Sequence, residues 1–161
     1  MDPRVSPLAE TIRLNTRLFR NCLDGLADEQ ARARPSSCTN SPAYVAAHLV
    51  ESRYYILTYL GVKEASPLDR YTGGWKSIDE MTEWPTLDEI RAAWSAVSDT
   101  LGKGLAAVSA ADLDAPVKTE MQLESKTTLG MLVFLVQHDS FHIGQLSLLR
   151  KYAGMAAMSY A

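Results

Sequence analysis

Cysteine is scarce in this chain: Cys22 and Cys38 are the only two among 161 residues. They form neither a C-x-x-C pair nor a zinc-finger spacing, so a disulfide framework and a thiolate-built metal site are not expected. Cys22 falls on an apolar helical stripe, where a free thiol behaves as a small hydrophobe, and neither cysteine is expected to act as a redox group or nucleophile. Long apolar runs are also missing. The longest, Met131 to Val136, is far too short to span a bilayer, and no membrane partner is expected. The opening residues, MDPRVSPLAE, lack the apolar stretch of a signal peptide, which predicts a cytoplasmic location. Nor is there an excess of basic residues. Sixteen Lys and Arg against nineteen Asp and Glu give a formal charge of -3, which argues against nucleic-acid binding.

What remains is the composition of an ordinary soluble globular protein, 47% apolar and 22% charged. The length suits one hydrophobic core, so residues 1–161 are read as a single domain. No internal repeat or low-complexity tract appears. One count stands out: there are three histidines, and two of them are four residues apart.

Periodicity divides the chain into four helical segments. Val5, Leu8, Ile12, Asn15, Phe19, Cys22 and Leu26 are spaced alternately three and four apart, the pattern of a bundle seam. A second helix opens at Ser41-Pro42, a good N-cap with Pro at the first helical position, and is expected to run to about Leu60 before Gly61. Thr86-Leu-Asp-Glu89 is a capping-box signature opening a third, with Leu87, Ile90, Trp94, Val97 and Leu101 on one face. The fourth starts near Thr127 or Thr128 and runs to about Tyr152, with Gly154 placed as a stop. Between the second and third lies a long crossover, Gly61 to Pro85, carrying Gly73-Gly74, Tyr71, Trp75 and Trp84. Loops of this length are often lids, although stapling of the crossover to the helices explains Trp84 as well. A second connection, Ser109 to Lys126, is polar, and only Val117 to Leu123 within it could be extended. The fold class is therefore all-α, a four-helix bundle with a long crossover between helices 2 and 3.

His138 and His142 lie inside the fourth helix, in FLVQHDSFHIGQLSLLR. Residues four apart are offset by about 40° and rise about 6 Å, so the two imidazoles share a face and suit one metal ion. Met131, Leu135, His138, His142, Gln145 and Leu149 continue one three-four seam, which places both rings where a buried Leu would be expected. Unsatisfied polar groups there cost roughly 1–3 kcal/mol each. A metal ion taking a lone pair from each neutral ring removes that cost, and so would hydrogen bonds to backbone and water. His48 lies in the second helix, in SPAYVAAHLVESRYYIL, well placed to join the pair. Three His ligands with an open fourth position describe a catalytic site rather than a closed structural one.

The runs HDSFHIGQL with a Leu-rich end and Lys-Tyr-Ala-Gly, and AAHLVES in an earlier helix, resemble the DinB family over nearly the whole chain. The resemblance implies a four-helix bundle and a divalent ion, nickel or zinc, held by His48, His138 and His142. Gly144-Gln145 matches the family's Gly-Gln step, whereas Ile143 stands where a basic residue is often found. It further implies a homodimer, and an enzyme whose relatives include transferases or isomerases using low-molecular-weight thiols such as mycothiol, bacillithiol or glutathione, alongside hydrolases.

Three further residues are catalytic candidates. Asp139 follows His138 where a zincin carries its general base, although a helix-surface charge or an acceptor for a ligand ring is the more ordinary role for it. Gln145, three residues after His142 on the same face, is placed to bond a ligand ring or a bound water. Glu51, three after His48, is placed to orient an imidazole, complete the coordination or simply meet solvent. Asn15 reads as a pocket contact or a satisfied core amide. The expected function is metal-dependent S-transfer with a small thiol, or hydrolysis, of a small-molecule substrate held under the crossover around Tyr71 and Trp75. The alternative is a non-catalytic metal-binding stress-response or ligand-binding module.

Overall fold

The structure, a computed structural model, describes residues 2–73 and 75–160. A 3-10 turn at Pro3–Val5 leads into α1 (Ser6–Leu23), followed by α2 (Asp28–Arg32), α3 (Pro42–Tyr59) and α4 (Asp69–Thr72). A second 3-10 turn at Ile78–Glu80 precedes α5 (Leu87–Ala107), α6 (Ala110–Asp114) and α7 (Thr128–Tyr152). The four long helices α1, α3, α5 and α7 are the four read from periodicity. No β-strand forms among the described residues, and no helix is long and apolar enough to cross a membrane.

The ends of these helices follow from local chemistry. Ser41 caps α3 by accepting from the Tyr44 amide, with Pro42 in the first turn. Thr86 and Glu89 form the expected capping box of α5, and Thr127 caps α7 through the Gly130 amide. α7 ends in a Schellman motif: Gly154, at φ 81°, donates to the Lys151 carbonyl while Met155 donates to Arg150. α1 stops three residues short of the expected Leu26, because Asp24 turns extended and Gly25 takes φ 72°.

Packing runs in a ring. α7 lies against both α1 and α3, α3 against α5, and α5 against α1. The buried side chains form one core in which Trp94 of α5 stacks on Phe19 of α1, ring centroids 3.9 Å apart.

The two long connections are more structured than their sequences suggest. The crossover contains α4 and the turn at Ile78–Glu80, the latter capped by Ser77 and Glu80. Segments of three or four residues are too short to show a helical period. In the second connection Ser109 and Asp112 cap α6, and Val117 to Leu123 makes no strand. Its only pairing among the described residues is an isolated bridge between Pro116 and Thr127.

Candidate metal centre

α3 and α7 pack side by side and bring the three histidines together. His138 Nε2 lies 3.3 Å from His48 Nε2 and 3.0 Å from His142 Nε2. All three ligand nitrogens fall within 4.8 Å of one another, and the rings meet edge to face. Three nitrogens bound to one ion at about 2.0–2.1 Å, roughly 90–110° apart, would be separated by about 2.8–3.4 Å. The two measured separations fall in that range, so the donor set fits a single divalent ion.

The outer face of one ring fixes which nitrogen carries the proton. His142 Nδ1 is 2.7 Å from Gln145 Oε1, an acceptor, so the ring donates there and keeps its lone pair at Nε2. His138 Nδ1 is 3.2 Å from Ser52 Oγ, a hydroxyl able to take the same proton. His142 Nε2 is then left with its lone pair toward the inner nitrogens of the other two rings. Burial, reinforced by the neighbouring imidazoles, holds the pKa of His48 down at about 4. Burial and His142 do the same for His138, also to about 4. Both rings are neutral at physiological pH, the form that coordinates a metal.

The cluster is not sealed. His48, Ser52 and His138 form one side of a cavity of 410 Å³. Tyr55, Trp75, Met121, Phe134 and Leu135 complete its wall. Trp75 reaches in from the crossover, its ring 5.4 Å from His48 and 6.2 Å from Tyr55, on a backbone held at φ 60°. That conformation is costly for a bulky residue, so the aromatic is held over the histidines against local preference. Among the described residues no carboxylate or cysteine joins the three histidines closely enough to share their ion.

The model of the DinB superfamily matches residues 11–146, which carry all three histidines and the helices that present them. The chain belongs to the DinB superfamily. Solved structures agree on the fold. A DinB-like protein from Bacillus cereus superposes with a TM-score of 0.73 at 20% identity, covering 96% of each chain. A conserved protein from Enterococcus faecalis gives 0.78 at 13% identity, covering 92% of this chain and 96% of its own. Among curated proteins, none matches.

In this DinB chain the register of α7 differs from the expected one. The most deeply buried stripe is Leu132, Val136, Asp139, Ile143 and Leu146, and Asp139 has no exposed surface at all. His138, His142 and Gln145 lie on the next stripe, half-buried at the cavity. The sequence pattern made the histidines core residues and Asp139 a helix-surface charge or an acceptor for a ligand ring; Asp139 is instead fully buried, and the histidines are half-buried on a seam whose Met131 and Leu135 are buried. The reason is Arg53. Asp139 Oδ2 accepts from Arg53 Nε at 2.8 Å, both side chains being fully buried.

Arg53 joins all four long helices. From α3 it reaches Asp139 on α7, Thr16 Oγ1 at 2.7 Å and the Ile12 carbonyl at 3.4 Å on α1, and Ser98 Oγ at 2.6 Å on α5. Its guanidinium lies 3.5 Å from the Trp94 ring centre. Asp139 is therefore not at hand as a base in the cavity. Arg53 is a residue that helical periodicity alone does not single out, although a signal is present. Ala46, Leu49, Arg53, Ile56 and Leu57 make a buried stripe on α3, and a lone Arg on one apolar stripe facing a lone Asp on another marks a buried pair.

The remaining candidates separate cleanly. Gln145 bonds the His142 ring, as expected. Glu51 neither joins the histidines nor lies free in solvent: it accepts from Ser66 Oγ in the crossover, and burial pushes its carboxyl upward. Asn15 is a satisfied core amide, donating to Ser140 Oγ at 2.9 Å. Cys22 is buried, with its thiol pushed up to about 12 by burial, and Cys38 is exposed and free. Tyr71 does not cover the histidines. It donates to Glu89 Oε1 at 3.0 Å and pins the crossover to the start of α5, leaving Trp75 as the aromatic over the cluster. Tyr44 flanks His48 from the other side, rings 6.5 Å apart, and donates to the Lys76 carbonyl at 2.9 Å.

Proposed function

We propose that this DinB-superfamily chain is a cytoplasmic metal-dependent enzyme acting on a small molecule, with His48, His138 and His142 as the ligands of one divalent ion, nickel or zinc. The observation that carries the reading is the convergence of three Nε2 atoms, with Gln145 turning the His142 ring proton away from the centre and Ser52 able to accept that of His138. One proton placed among the three nitrogens serves one contact well and leaves the other short. A cation serves all three. Bound there, a divalent ion supplies Lewis acidity, which brings a coordinated water or thiol toward deprotonation near neutral pH.

The chain's own residues do the rest. Gln145 and Ser52 hold two imidazoles in the coordinating tautomer and orientation. Trp75, Tyr55 and Phe134 wall the space in front of the histidines and exclude bulk water from part of it. Small-thiol S-transfer and hydrolysis both use this arrangement, differing in which nucleophile enters. A non-catalytic metal staple is less well supported, because a staple needs a closed coordination sphere and these histidines face a cavity. The exposed apolar stripe of α7, Val133, Phe141, Leu148 and Tyr152, supports the homodimer that the resemblance implies.

Metal content of the purified protein tests the reading. Wild type is expected to retain close to one ion per chain, and His48→Ala and His142→Ala to retain far less. Equal and negligible retention in all three would overturn it.

A further inference from the structure

Resting on the metal-centre reading, we infer that Glu51 is the outer partner of the third histidine. One ordered water, in the crevice between α3 and the crossover, accepts from His48 Nδ1 and donates to the Glu51 carboxylate. Glu51 is then a positioning residue, which acts on the ion only through His48.

The three rings are not finished alike. Gln145 Oε1 stands 2.7 Å from His142 Nδ1, and Ser52 Oγ stands 3.2 Å from His138 Nδ1. His48 turns Nε2 toward α7, 3.3 Å from His138 Nε2. Among the described residues no group bonds its Nδ1, and that atom is not sealed from solvent either. A histidine that ligates a metal commonly donates its second ring N–H to a carboxylate, a carbonyl or a water, which fixes both tautomer and ring orientation.

A narrow crevice beside His48 has the size and the polar lining for such a water. Tyr44, His48 and Glu51, spaced four and three apart on one face of α3, form one wall. Thr72, Trp75 and Lys76 of the crossover form the other. The volume is about 10 Å³, at the lower end of the roughly 10–15 Å³ that one water requires. A water held there also needs several polar partners. His48 Nδ1–H donates to it. Ser66 Oγ donates to Glu51 Oε1, which holds the carboxylate at the crossover and leaves acceptor capacity on Oε2. Tyr44 OH donates to the Lys76 carbonyl at 2.9 Å, so its oxygen can accept from the water in turn. Burial pushes the Glu51 carboxyl upward, and a donor at Oε2 offsets that cost by favouring the charged form. The bond to Ser66 needs no charge, since a neutral amide oxygen would accept it equally.

Zinc is the probe, and two readouts are taken on the full chain. Zinc affinity, measured by competition with a chelator, is expected to fall about tenfold in Glu51→Ala and by less in Glu51→Gln, which keeps the shape and the Ser66 bond. Ser66→Ala, which loosens the crossover and keeps the carboxylate, is expected to bind zinc as wild type does. The second readout is proton NMR of the ring N–H groups in the zinc-loaded protein. All three histidines of the chain are in the cluster. Wild type is therefore expected to show three slowly exchanging downfield signals, and Glu51→Ala to lose that of His48 alone. A Glu51 that only staples the crossover would leave all three in place. Should Glu51→Ala melt early, Glu51→Gln still reports, through a shifted His48 signal and a weaker affinity. Unchanged affinity in both Glu51 variants, an equal fall in Ser66→Ala, or a His48 signal missing from wild type would overturn the inference. Failure of the metal reading looks different: wild type itself would bind no zinc, and the inference would fall with it.

Discussion

Two polar clusters are built from adjacent residues of the same two helices, and they are finished in opposite ways. Ser52 and His138 belong to one, and Arg53 and Asp139, the next residue on each helix, belong to the other. The Arg53 cluster is closed around its cation: the guanidinium donates to Asp139, Thr16, Ser98 and a backbone carbonyl and rests on Trp94, and only Asp139 Oδ1 is left buried without a hydrogen-bond partner. The histidine cluster is partnered on the outside of two of its rings and left open on its inside, where three ring nitrogens meet beside a cavity. A buried polar network whose cation is met from every helix fixes the register of the helices. One that is left incomplete, a single residue away, is a binding site. A register shift between α3 and α7 would undo both at once, which ties the geometry of the histidines to the ion pair behind them.

Removing half of the closed cluster gives the largest effect. Asp139→Ala leaves Arg53 buried without its counter-charge and is expected to cost about 3–5 kcal/mol in denaturant unfolding. Arg53→Met combined with Asp139→Leu is expected to lose much less, since both charges leave together. Equal losses from the single and the double variant would break the comparison, for the pair would then be only a packing element.

The open cluster should behave the other way. His48→Ala removes a half-buried ring whose one inner contact is the long 3.3 Å approach to His138 Nε2, so the metal-free protein is expected to unfold within about 1 kcal/mol of wild type. The loss appears only with metal. Zinc at a hundred times its Kd stabilises wild type by about 2.7 kcal/mol, and this gain is expected to vanish in the variant. A zinc-dependent rise in melting temperature that survives His48→Ala would place the ion elsewhere.

Most of the fold was legible because the long helices carry both a period and caps: Ser41-Pro42, Thr86 with Glu89, and Thr127 all open helices where the sequence implies them. The short helices α2, α4 and α6 were not, being held by turn chemistry rather than by periodicity. The histidines were legible as a group, on a seam buried at Met131 and Leu135, but the deeper stripe beside it was not. A three-four pattern on α7 accommodates two neighbouring stripes, and only the partner Arg53 on another helix decides that Asp139 takes the deeper one. Contacts across helices are what a single periodic pattern does not contain. Phe134 and Met121 stayed hidden for the same reason, as wall residues contributed by an exposed helix face and an irregular connection.

Acid separates the clusters by titration. His48 and His138 titrate near 4 in the folded protein and near 6.5 when unfolded, so below about 6.5 the unfolded chain binds more protons. Stability of the metal-free protein is therefore expected to fall as pH drops from about 6.5 to about 4, with no further loss from these two groups below that. The drop is roughly 1–2 kcal/mol, less than the full shifts imply because the rings are partly solvated. Urea unfolding of His48→Gln with His138→Gln should lack this slope. An unchanged slope in that variant would assign the acid sensitivity to other groups.

The smallest effect tests whether the outer face of the histidine cluster matters at all. Gln145→Leu deletes the acceptor at His142 Nδ1 while keeping the side chain's approximate volume. The ring then loses the bond that fixes its tautomer, and Nε2 presents a lone pair for only part of the time. Zinc affinity is expected to fall about tenfold, near 1.4 kcal/mol, with the stability of the metal-free protein almost unchanged. Ser52→Ala should do the same, more weakly, because its contact with His138 is longer at 3.2 Å. If both variants bind zinc as wild type does, α3 and α7 alone hold the imidazoles in place. The closed cluster behind them would then carry all of the positioning, and the contrast between the two would become a division of labour.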